Sequence, residues 1–63
     1  MTELEKLYQS MADTLEQGVT DLEKFEAGNM SAGTRVRKNM QTIKDLAQKV
    51  RVTVQEQKNA IAA

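Results

Sequence analysis

The chain has 63 residues, nine Lys and Arg against nine Asp and Glu, and no Pro, Cys, His or Trp. A chain this short forms one domain, residues 1–63, and folding buries only about 60% of the surface that the unfolded chain exposes. Disulfides, thiolate metal centres and histidine ligands are excluded by composition, which leaves self-association as the usual way to complete so small a core.

No apolar run approaches the roughly 18 residues of a membrane span, and no charged segment followed by an apolar one opens the chain as a secretion signal does, so a cytoplasmic protein without membrane contact is expected. Leu, Ile, Val and Phe together make 13 of the 63 residues, so order has to come from patterning and not from bulk hydrophobicity.

The first predicted element is a helix over about residues 3–27. Thr2 and Glu5 have capping-box spacing at its start. Apolar positions Leu4, Leu7, Met11, Leu15, Gly18 or Val19, Leu22 and Phe25 follow at intervals of three and four. The two successive fours from Leu7 to Leu15 read as a stutter in the seam. A turn at 28–29 ends it, with Gly28 suited to the left-handed conformation that closes a helix and Asn29 suited to cap the next.

The second predicted element is a helix over about residues 30–60, with a seam of Val36, Met40, Ile43, Ala47, Val50, Val54 and Ile61. The alternation Val50-Arg51-Val52-Thr53-Val54 also fits a strand, but no turn signal flanks it and it would have no strand to pair with. The expected fold is all-α, an antiparallel αα-hairpin that dimerises into a four-helix bundle. Folding at residues 28–29 places Val36 opposite Leu22, Ile43 opposite Leu15, Ala47 opposite Met11 and Val54 opposite Leu4. Met40 then fills the space beside Gly18. Tyr8, Leu46 and Val52 lie outside these seams and are the expected contacts of a second hairpin.

The neutral total conceals two opposite halves. Residues 1–29 hold seven acids and two bases, whereas residues 30–63 hold seven bases and two acids. Arg37, Lys44, Arg51 and Lys58 recur every seven residues and form one stripe of the second helix. The stripe has two readings: it pairs with the acidic helix, Arg37 with Asp21 for example, or it faces a polyanion. Arg35 and Lys38 share a face in the opening turns of the second helix, where the helix dipole also attracts phosphate, while Arg37 lies nearer the seam.

No catalytic constellation is present: without His or Cys, the remaining Ser and Thr hydroxyls have no base at a telling spacing. No loop concentrates oxygen ligands for a metal, and Gly28 to Gly33 has no preceding strand to make it a nucleotide-binding loop, so no cofactor or small-molecule substrate is expected.

The run Gly28-Asn29-Met30-Ser31-Ala32-Gly33-Thr34-Arg35-Val36-Arg37-Lys38 resembles the signature of bacterial histone-like proteins of the chlamydial linker-histone-like family, a GN turn followed by small residues and an R-x-R box. The whole chain is similar to the family's N-terminal helical domain. The resemblance implies sequence-independent DNA binding in the nucleoid, with Arg35, Arg37 and Lys38 contacting phosphates. Asn29, Ser31, Thr34 and free N–H groups near the turn are then the expected neutral donors, and Lys44 and Arg51 are candidates farther along the helix. Members commonly carry a lysine-rich tail where this sequence reads Lys58-Asn59-Ala60-Ile61-Ala62-Ala63, so binding weaker than that of a tailed member is expected. The rival expectation is a structural or protein-interaction bundle whose basic helix meets an acidic partner.

Overall fold

The computed structural model describes residues 1–62, in which helix α1 spans Glu3–Glu26 and helix α2 spans Met30–Ala62. Among the described residues there is no strand, and the Val50–Val54 alternation continues α2. Neither helix is long and apolar enough to cross a membrane.

The ends of α1 are set by local chemistry. At its start the Thr2 hydroxyl accepts from the Glu5 N–H at 3.1 Å while the Glu5 carboxylate accepts from the Thr2 N–H at 2.9 Å, a complete capping box. The Thr2 N–H, with the Thr2 side chain adding to it, holds the Glu5 carboxyl below its ordinary value. Its contribution is therefore present above the unfolded-state pKa and is lost as pH falls through the lowered folded value. Glu5 is expected to titrate below the ordinary glutamate value in an NMR titration, and Thr2→Ala to raise it only part of the way, because the backbone N–H of residue 2 still donates to the carboxylate; an ordinary value in the parent chain would contradict the capping box.

At the far end Gly28 takes φ +106, the Gly28 N–H donates to the Phe25 carbonyl at 2.9 Å and the Asn29 N–H to the Lys24 carbonyl at 3.0 Å. This is the Schellman closure, and it depends on the positive φ that glycine adopts without strain. Asn29 then caps α2: its Oδ1 accepts from the Ala32 N–H at 3.2 Å and from the Ser31 hydroxyl at 2.8 Å.

The two helices pack antiparallel as one layer, 53 × 19 × 11 Å. Half-buried and buried positions of α1 that face α2 run Leu4, Leu7, Met11, Thr14, Gly18 and Asp21, a strict alternation of three and four that continues to Phe25. Their counterparts on α2 are Val36, Asn39, Ile43, Leu46, Val50 and Thr53, with the same alternation. The seam is thus apolar toward the open end and small or polar toward the turn. Gly18 and Ala32 are the buried residues among those described, Ala32 with no exposed surface.

This seam corrects the spacing-based one in four respects. Where spacing predicts Met40 beside Gly18, the structure places Asn39 there. The Asn39 amide donates to the Thr14 carbonyl at 2.6 Å and its Oδ1 and Cγ occupy the space that a Cβ on residue 18 would need. Leu15 and Leu22, expected opposite Ile43 and Val36, are 56% and 45% exposed. Leu46 lies in the seam and is half-buried, while Val54 is on the surface. There is no stutter: the intervals from Leu4 to Asp21 alternate without a break. The physical cause is close approach. Small side chains at Gly18, Ala32 and Gly33 and a buried hydrogen bond bring the backbones together near the turn, and the large apolar residues are displaced to one flank.

Candidate nucleic-acid interface

The opening turns of α2 carry no acidic residue, so its N-terminal dipole is uncompensated from within the helix. Directly after the turn, Thr34, Arg37, Lys38 and Gln41 border one shallow depression on the outer surface of α2. All four are exposed. Gln41 carries no charge to single it out in the sequence, although its spacing of four from Arg37 and three from Lys38 puts it on the same helical face.

Arg35 has a different environment. Its Nε donates to the Asp21 Oδ1 at 2.8 Å, the one ion pair between the helices among the described residues. Spacing pairs Asp21 with Arg37; the structure corrects this to Arg35. Residues in contact across the hairpin have numbers that sum to 56, 57 and 58 in Asp21 with Arg35, Gly18 with Asn39 and Phe25 with Gly33, so the register is close to the expected one and it is the flank that gives Asp21 to Arg35. Arg35 flanks the seam on the side of Asp21, while Arg37 lies on the opposite flank. The Arg35 and Asp21 side chains remain 47% and 24% exposed, so the pair is screened by solvent. Arg35→Ala is expected to lower stability by no more than about 1 kcal/mol in thermal denaturation. A larger loss would mean that the pair holds the turn end of the hairpin.

The neutral candidates are engaged in capping. The Ser31 hydroxyl donates to Asn29, so it can donate to a phosphate only by giving up that bond, and Asn29 keeps its amide N–H groups for a ligand after its oxygen is committed. Thr34 is exposed beside Arg37 and Lys38. Lys44 and Arg51 are exposed one and two heptads after Arg37 and border a second depression with Asp45, Ala47 and Gln48. The structure therefore groups Thr34, Arg37 and Lys38, places Lys44 and Arg51 farther along the same helix, and ties Arg35 to α1.

No curated protein and no solved structure matches the chain. The family model described as histone H1-like protein Hc1 matches residues 5–60, from the capping box of α1 almost to the end of α2. The hairpin, the capped GN turn and the basic α2 that follows it are therefore those of a member of the chlamydial-type, linker-histone-like Hc1 family, to which this chain belongs.

Proposed function

We propose that this chain is a nucleoid-associated protein that binds DNA through backbone phosphates without reading base sequence, and that it does so as a homodimer. The observation that carries the reading is the family match over residues 5–60, joined to the exposed cations at the start of α2. Arg37 and Lys38 supply the mobile charges and Thr34 a hydroxyl donor. Arg35 keeps its terminal guanidinium nitrogens for a phosphate while its Nε holds Asp21. Asn29 and Ser31 add donors near the turn, and Lys44 and Arg51 extend the positive surface along α2. These are exposed cations and hydroxyl or amide donors, and contact with phosphate oxygens is the sequence-independent chemistry such groups supply.

A gel shift with random-sequence duplex at about 50 mM salt tests this, because electrostatic binding is strongest there. A complex at micromolar protein that a second, unrelated duplex competes away equally is the expected result. No complex under those conditions would end the reading and favour a bundle that binds an acidic protein partner instead.

A further inference from the structure

The hairpin has two unlike faces. The layer is 11 Å thick, one helix deep, so each face is open across the full length of α1. On one side of the seam lie polar and charged residues such as Glu3, Ser10, Gln17 and Lys24 of α1 with Arg35, Thr42 and Lys49 of α2, at heptad intervals. On the other side, also at heptad intervals, lie Tyr8, Leu15 and Leu22 of α1 beside Met40, Ala47 and Val54 of α2. The two stripes meet: Tyr8, Leu15 and Ala47 border a single groove floored by Met11, Ile43 and Val50. Tyr8 is 66%, Leu15 56%, Leu22 45%, Met40 46% and Val54 39% exposed.

On α1 this stripe is a second complete seam. Ala12 and Val19 alternate with Tyr8, Leu15 and Leu22 at intervals of four and three, rotated roughly 100° from the seam that faces α2. One helix with two such seams about a quarter-turn apart is the pattern of a helix in a four-helix bundle, where each has two neighbours.

We propose that this face binds a second copy of the chain, with the two-fold axis parallel to the helices, so that both turns lie at the same end and α1 of each copy lies antiparallel along α2 of the other. The arrangement deepens the dimeric reading above and rests on it. Charge selects the axis. The α1 half carries seven acids and two bases and the α2 half seven bases and two acids, but a single ion pair joins the helices within the hairpin. Face-to-face packing can stack α1 on α2 of the partner or α1 on α1. The second choice sets like charge against like along the whole bundle, and the first pairs acid with base. Arg37, Lys44 and Arg51 edge the apolar face on α2, so in the dimer their stems flank the partner's acidic helix at the rim of the interface while their charged ends stay at the solvent edge, open to phosphate. The same axis brings the Arg37 and Lys38 pairs of the two copies to one end of the bundle.

The chain has no cysteine, so Ala27→Cys places a unique spin label at the exposed turn. Pulsed electron-electron distance measurement on the dimer, without DNA, is expected to give a label separation of about 15–25 Å, set by the bundle's width. A separation of about 36 Å or more, the length of the 24-residue α1, would overturn the orientation. Leu15→Lys should raise the dimer dissociation constant at least about tenfold in sedimentation equilibrium, while Thr42→Lys, exposed on the opposite, polar face, should leave it unchanged. A parent chain that stays monomeric at high micromolar concentration, or a Leu15→Lys dimer as tight as the parent, would overturn the surface itself. Because no DNA is present, these outcomes are independent of the gel shift.

Discussion

Gly18→Ala is expected to destabilise the hairpin by about 1–3 kcal/mol, although the same change in an isolated helix gains about 1 kcal/mol. The added Cβ would lie 2.7 Å from the Asn39 Cγ and 3.1 Å from its Nδ2, with Oδ1 nearer still. Asn39 cannot move aside without losing its bond to the Thr14 carbonyl, and an unmet polar group in a half-buried seam costs about 1–3 kcal/mol. The sign therefore depends on Asn39. Removing the obstruction with Asn39→Ala should let the double variant recover, since alanine then contributes helix propensity at both positions. Urea denaturation of the four chains of this cycle gives the coupling. A Gly18→Ala variant more stable than the parent would show that the close approach at Asn39 does not occur. Gly33 has a similar neighbour in the Phe25 ring at 2.7 Å, but Phe25 is 41% exposed and can swing outward, so Gly33→Ala should be much milder.

Changing Arg37 and Lys38 together to alanine should weaken DNA binding by about tenfold at low salt, equally on unrelated sequences, and should lower the salt slope by about 0.9 for each phosphate that is no longer neutralised. Helicity should not change, because both side chains are exposed and neither is joined to α1. Lys44→Ala with Arg51→Ala is the comparison. A weakening there equal to or greater than that at Arg37 and Lys38 would move the phosphate site from the turn to the length of α2.

Much of the fold is legible in the sequence because local rules decide it. The Thr2 and Glu5 box, the Gly28 closure and the Asn29 cap each follow from side-chain and backbone chemistry within a few residues, and the structure has all three. The phase of the seam is less legible, for a specific reason. Tracing the largest apolar residues takes Leu7 and Met11 from one seam of α1, crosses to Leu15, Val19 and Leu22 of the other, and returns at Phe25. The apparent stutter is this crossing. On α2 the largest apolar residues likewise mix Val36, Ile43 and Val50 of the seam with the exposed Met40 and Val54 and the half-buried Ala47 of the flanking stripe. Thr14, Asp21 and Asn39 do not register as seam residues by hydrophobicity, because what qualifies them is small size or a hydrogen bond formed only when the helices meet. The phase in turn decides which arginine is tied down. Pairing by an approximate sum of residue numbers assigns Asp21 to Arg37, and the change of flank gives it to Arg35.

The most direct measurement of phosphate-backbone binding is the binding constant of the parent chain on two unrelated duplexes as a function of salt. A linear fall of log K with log salt, with the same slope on both duplexes and a value reflecting several phosphate contacts at about 0.9 each, is the predicted result. A slope near zero, or affinities that differ widely between the two sequences at one salt concentration, would contradict binding through the phosphate backbone.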